Sequence, residues 1–190
     1  MKATRGEAAR LRTQAAIIDS AATVLAARGD AASMDEIATS AGIGRATLYR
    51  YFPNRESLLT AMAEASVREL AARIEDAHLD AVPFDEGLAR LARAVIATGS
   101  KYVALDADSS SYSSMYPDFD ARVTEPMFAL FRRGIADGSL RRDLPSDVHI
   151  DLFSGLIKGA LTATASGRRG IEESAAAVTS VFLRGAGAAA

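Results

Sequence analysis

Two arginines, two tyrosines and a threonine fall within the seven residues Arg45-Ala-Thr-Leu-Tyr-Arg-Tyr51. If this stretch is a helix with Leu48 turned inward, then Arg45, Thr47, Tyr49, Arg50 and Tyr51 form its outer face. Guanidinium forks can pair with guanine edges, and hydroxyls can meet phosphate oxygens. Arg55 adds a phosphate partner at the start of the next helix, whose positive end also favours an anion. The chemistry of this segment is polyanion binding. Catalysis has little to work with elsewhere. Cysteine is absent and the only histidines are His78 and His149. There is no phosphate-binding glycine loop and no nucleophile elbow. The acidic pairs Asp85-Glu86 and Glu172-Glu173 stand at expected helix starts, where they complement the dipole. We therefore expect no catalytic residue, no bound metal and no cofactor.

A helical face needs elements to hold it. Ser33-Met-Asp-Glu36 reads as a capping box opening a short helix that ends at Ser40 or Ala41. Gly42 supplies a left-handed turn, and a second short helix runs from about Gly44 to Phe52. Ala38 is small enough to let the two helices cross closely, and Leu48 plugs the crossing with Ile37, Ile43 and Phe52. This is the skeleton of a helix-turn-helix. Residues 10–28 read as a preceding helix ended by Gly29. Pro53 breaks the reading helix, and Asn54 caps a long one running to about Ala77.

The rest of the chain has no strand-like alternation of any length. Helical spacing marks 84–105, 119–135, 147–166 and 171–184. Serine- and aspartate-rich residues 106–117 read as a loop or short frayed helix, and Gly185–Ala190 as an unstructured tail. The fold class is all-α, with about nine helices. A chain of 190 residues with 49% hydrophobic and 24% charged residues is globular. Net charge is −2 overall. Residues 1–60 hold 8 basic and 6 acidic groups and the remainder is net acidic, a weak sign of a polyanion-binding end. The basic residues near the start are followed by no apolar run, and no stretch approaches the ~20 apolar residues of a membrane span. No membrane association is expected, and the location expected is cytoplasmic.

Residues 13–60, above all Ala38-Thr-Ser-Ala-Gly42-Ile-Gly-Arg-Ala-Thr47-Leu-Tyr49-Arg-Tyr-Phe52, resemble the DNA-binding domain of the TetR family of bacterial transcriptional regulators. The resemblance implies an N-terminal three-helix DNA-binding domain, 1–53, and a C-terminal effector-binding and dimerisation domain, 54–190. It implies double-stranded operator DNA and a small organic effector as partners, with repression as the family default. Thr47 and Tyr49 should contact phosphates. Arg45, Ala46, Arg50 and Tyr51 should face the groove. The Ser33 end of its helix should approach the backbone, and Arg55 should hold a phosphate. Relatives often carry lysine at position 55, and arginine keeps the charge with a different geometry. Arg5, Arg10 and Arg12 read either as a solubilising tail or as an arm reaching the minor groove.

In the helix 147–166, Val148, Ile150, Leu152, Phe153, Leu156, Ile157, Ala160 and Leu161 wrap most of the circumference. The last helix adds Ala175, Ala176, Val178, Val181 and Phe182. That is more apolar surface than one subunit's core uses, and it predicts a homodimer through helices 147–166 and 171–184. Aromatic and methionine side chains of this half are candidate effector contacts: Tyr102, Tyr112, Met115, Tyr116, Phe119, Phe128, Phe131 and Phe153. His149 reads as a ligand contact or as an exposed or interface residue. A DNA-binding regulator or architectural protein without an effector is the alternative.

Overall fold

The structure is a computed structural model that describes residues 5–105 and 116–187. Among the described residues there are eight α-helices, against about nine expected, and one isolated antiparallel bridge between Leu140 and Gly187. The helices are α1 (Arg5–Arg28), α2 (Met34–Ser40), α3 (Arg45–Tyr51), α4 (Arg55–Asp76), α5 (Phe84–Lys101), α6 (Glu125–Ala136), α7 (Ser146–Ala165) and α8 (Ile171–Ala186). A single 3-10 turn, Gly29–Ala31, follows α1, and a π turn, Asp120–Thr124, leads into α6.

Three ends differ from expectation, the first being α5, which stops at Lys101 where helix was expected to about residue 105. Helix α1 begins at Arg5, one and a half turns before its apolar periodicity, because Gly6-Glu-Ala-Ala-Arg10 is rich in helix formers and puts Glu7 in the first turn. Helix α8 continues through Gly185 and Ala186, where an unstructured tail was expected. The Arg141 N–H donates to the Ala186 carbonyl at 3.0 Å beside the Leu140–Gly187 bridge, so backbone pairing fastens this end. Residues 188–190 lie outside the described residues.

The chain forms two compact units: Met1–Ser66 with Lys101–Asp106, and Val67–Ser100 with Ala107–Ala190. The first has a core of Ile17, Ile18, Ala21, Leu25, Ile37, Ala38, Leu48, Phe52, Leu58 and Met62. Tyr102 is buried in the same core.

The second unit is built around an aromatic cluster. Phe131 meets Phe153 and Phe182 edge-to-face at centroid distances of 5.6 and 5.8 Å, and Phe84 at 6.0 Å. Helices α5 and α6 pass so closely that a Cβ on Gly134 would stand 2.5 Å from Phe84 Cδ2, and one on Gly87 would stand 2.8 Å from Leu130 Cδ1. A side chain at Gly134 would collide with the Phe84 ring, whereas one at Gly87 would require the Leu130 side chain to shift. His149 is fully buried, neither exposed nor at an open surface. Its Nε2 lies 3.1 Å from the Arg141 carbonyl, so that nitrogen carries the proton and helps hold the connector before α7.

Candidate nucleic-acid interface

The local chain chemistry fixes the angle between α2 and α3. The Glu36 N–H donates to Ser33 Oγ at 3.2 Å, and the Ser33 N–H donates to Glu36 Oε2 at 2.8 Å, completing the expected capping box. Arg28 of α1 also donates to the Glu36 carboxylate. These contacts, led by the Ser33 backbone and side-chain hydrogen bonds, hold the Glu36 carboxyl below its ordinary value of 4.5. At the other end Gly42 has φ +66. Its N–H donates to the Thr39 carbonyl at 3.1 Å, and the Ile43 N–H donates to the Ala38 carbonyl at 3.0 Å. This is a Schellman closure, with Gly42 in the left-handed seat and Ile43 folding back on Ala38.

Helix α3 then follows with Leu48 fully buried as its plug. Arg45, Ala46 and Arg50 are exposed, and Thr47, Tyr49 and Tyr51 are half-buried. The expected outer face is therefore assembled on one helix. The Arg45 guanidinium sits 5.4 Å from the Tyr49 ring centroid, and that of Arg50 sits 5.8 Å from the Tyr51 ring. Two features were not visible in the sequence. Arg45 Nη1 donates to Asp35 Oδ2 at 3.0 Å, joining the two helices across their outer side. Arg55 donates to the Ala32 carbonyl and, at 3.4 Å, to that of Gly29, with Asp30 3.7 Å away. Its guanidinium thus closes the corner after α1. Asn54 caps α4 as expected, accepting from the Ser57 N–H at 2.8 Å.

Of the candidate effector residues, five gather in the core of the second unit. Tyr112 and Met115 lie outside the described residues. Tyr102 belongs to the first unit's core. In the second unit Phe119, Phe131 and Phe153 are buried in the core, and Tyr116 and Phe128 are half-buried against it. None of these lines the second unit's cleft, which has a volume of about 800 Å³. The cleft faces are Ala71, Ile74, Glu75 and His78 on one side and Pro126, Ala129, Leu130 and Arg133 on the other. Ala71, Ile74 and Glu75 share one face of α4, with His78 in the turn that follows it, and Pro126, Ala129, Leu130 and Arg133 follow the i, i+3, i+4, i+7 spacing of one face of α6. The Arg122–Glu75 ion pair, 3.6 Å, spans its mouth. Arg133 donates to the carbonyls of Leu79 and Val82 at 2.7 and 2.8 Å and so pins the adjoining turn.

Among the described residues no helix is long and apolar enough to cross a membrane. Residues 17–62 match the model for bacterial regulatory proteins of the tetR family. The chain is 42% identical over 92 residues to the HTH-type transcriptional repressor LfrR of Mycolicibacterium smegmatis, spanning 48% of each chain, so that match covers about half of the relative's length. It is 30% identical over 165 residues to the HTH-type transcriptional regulator SrpR of Pseudomonas putida, covering 78% of this chain and 73% of SrpR. The crystal structure of the TetR-like regulator LfrR from Mycobacterium smegmatis in complex with proflavine aligns with a TM-score of 0.72 and 27% identity, over 93% of this chain and 97% of that one. These similarities are to regulators of transcription, not to enzymes. With the helix-turn-helix built as described, the chain belongs to the TetR family of bacterial transcriptional regulators.

Proposed function

We propose that the chain is a ligand-responsive repressor of the bacterial cytoplasm. It binds a palindromic operator as a homodimer and leaves it when a small organic effector binds. The observation that carries this reading is α3, which buries Leu48 completely while leaving Arg45, Ala46 and Arg50 exposed. Residues 1–53 then form the DNA-reading domain and 54–190 the effector-binding and dimerisation domain. Arg45, Ala46, Arg50 and Tyr51 face the groove, where Arg45 is the one set to meet a base edge. Thr47, Tyr49 and the Ser33 end of α2 contact phosphates, and Arg55 offers a phosphate what its corner carbonyls leave free.

Dimerisation follows from the surface of α7 and α8. Leu152, Gly155, Leu156 and Gly159 run along one face of α7, and a Cβ at either glycine would meet nothing within 4 Å. Leu152 and Val181 are more than half exposed. A stripe of this kind accepts a second copy related by a two-fold axis. Two copies read two half-sites at the groove spacing, which one helix-turn-helix cannot do. The parts of α7 and α8 that face inward, Ile150, Phe153, Ile157, Ala175, Val178 and Phe182, are already used within the subunit.

The effector seat the geometry supports best is the cleft between Ala71–His78 and Pro126–Arg133. Its volume falls in the ~300–1,000 Å³ range of small-molecule sites, and its walls combine apolar Ala71, Ile74, Leu79, Ala129 and Leu130 with the charged Glu75, Asp80, Arg122 and Arg133. Helix α4 contributes Ala71, Ile74 and Glu75 to it and begins shortly after α3 ends. A ligand favouring one position of α4 would change the affinity for DNA by its preference between the two states. Because LfrR was crystallised with proflavine, that compound is the first probe. The test is selection of bound fragments from the source genome, followed by titration of proflavine and related aromatic amines into the complex. Enrichment of a palindrome that a compound releases supports the reading. Failure to enrich any duplex overturns it. Enrichment that no compound affects supports the effector-free regulator instead.

A further inference from the structure

A second concavity lies wholly within the first unit. It has a volume of about 420 Å³ and is lined by Gly6, Ala9, Arg10 and Thr13 of α1 and by Arg50 and Tyr51 at the end of α3. The four α1 residues follow i, i+3, i+4, i+7 and so share one helical face. No carboxylate lines it. Among the described residues neither Arg10 nor Arg50 forms an ion pair with an acid. Arg5 and Arg12 of α1 are likewise without an ion pair but do not line the hollow, whereas Arg28 is engaged with Glu36, Arg45 with Asp35, and Arg55 with Asp30 and two carbonyls.

Two unpaired guanidinium groups sharing one hollow repel each other, and the arrangement is relieved by an anion between them. Donors are available from both sides. Arg50 is held against the Tyr51 ring, whose hydroxyl is a further donor. Thr13 donates its own proton to the Ala9 carbonyl at 3.1 Å, so it adds no donor to those of Arg10, Arg50 and Tyr51. The floor is open, because a Cβ on Gly6 would meet nothing within 4 Å. The segment is helical from Arg5, so it is a fixed wall and not an extended arm.

We propose that this hollow is a seat for one phosphodiester of the DNA backbone, gripped by Arg10, Arg50 and the Tyr51 hydroxyl. It would couple the start of α1 to the position of the end of α3 in the groove. The inference rests on the DNA-binding reading and adds Arg10 to it.

The test uses the full chain and a duplex recovered in the selection above, with affinity measured across a range of salt concentrations. Arg10→Gln should weaken binding roughly tenfold on cognate and unrelated duplexes alike, and flatten the salt slope by about 0.9 for each phosphate that is no longer neutralised. Arg10→Lys should restore much of the slope but less of the affinity, since the fork is gone. Ala9→Glu, at an exposed helical position, should weaken binding further. Arg12→Gln removes the same charge from α1 outside the hollow and should leave the slope unchanged. Circular dichroism confirms that each variant is folded. Equal losses in Arg10→Gln and Arg12→Gln would overturn the seat in favour of general charge attraction. Unchanged binding in Arg10→Gln would overturn it outright, as would saturation of the hollow by inorganic phosphate, seen at the Thr13 amide, without effect on DNA affinity. A wild-type chain that binds no duplex would instead defeat the parent reading.

Discussion

Arg45 and Asp35 stand opposite each other on α3 and α2, with Nη1 and Oδ2 3.0 Å apart and both side chains more than half exposed. The arginine proposed to read a base is therefore held by an acid while DNA is absent. Exposed pairs contribute only ~0.2–1 kcal/mol, so the hold is weak enough to exchange for a guanine edge. Asp35→Asn should raise affinity for all duplexes by up to about fivefold, by freeing Arg45 and removing a charge that repels phosphate. Arg45→Ala should instead relax preference at one base position by ~1–3 kcal/mol. Titration against a panel of single-position operator variants separates the two outcomes. A uniform loss in Arg45→Ala would mark a backbone contact.

Thr47 and Tyr49 are half-buried on the flank of the same helix. Replacing them with Val and Phe removes only hydroxyls. Binding should weaken on every sequence by a similar factor, about tenfold for the pair if each forms a charge-assisted hydrogen bond. Helix content and oligomeric state should not change. Unaltered binding to an isolated operator would remove both residues from the interface.

The capping box gives the first unit an acid sensitivity whose sign is fixed. The Glu36 carboxyl is held below 4.5 by the Ser33 hydrogen bonds and by Arg28. A group depressed in the folded state contributes stability that is present above its unfolded value and lost as pH falls through its folded value. Stability linked to Glu36 is therefore complete above 4.5 and declines below it. In Glu36→Gln the thermal midpoint should fall at neutral pH, and its acid decline should become shallower than in the wild type. Ser33→Ala should cost ~0.5–2 kcal/mol through removal of the cap. Parallel acid declines in wild type and Glu36→Gln would show that the box does not act through this charge.

Leu152 and Val181 are the side chains by which the dimer proposal can be tested without damage to the subunit. Glutamate at either position meets solvent in the monomer, where both are more than half exposed. Sedimentation should show monomers, with weaker operator binding and near-normal secondary structure. Charges at Phe182 would not serve, since that ring packs at 5.6 Å against Phe153 inside the subunit. Persistent dimers in both variants would move the interface away from α7 and α8.

What the sequence made legible was local. The capping box from Ser33 to Glu36, the left-handed Gly42, the Leu48 plug and the Asn54 cap each depend on residues within a few positions of one another. The partners of Arg55 were hidden because they are carbonyls 23 and 26 residues upstream, and a carbonyl has no sequence signature. Tyr102 enters a different core from Phe119 and Phe128, and an aromatic residue just past a helix end does not say which of two cores it will join. The cleft was invisible for another reason. It arises where two helical faces remote in sequence both fail to fill the space between them, and small residues such as Ala71 and Ala129 look the same whether packed or not.

The split between the inward and outward sides of α3 carries a consequence for how such a protein can change. Folding of the segment is entrusted to Leu48, Phe52 and the backbone turn at Gly42, none of which addresses a base pair. The residues proposed to do the addressing, Arg45 and Ala46, stand in solvent. They can be rewritten, by drift or by a protein engineer, to suit a new promoter while the scaffold beneath them is left untouched.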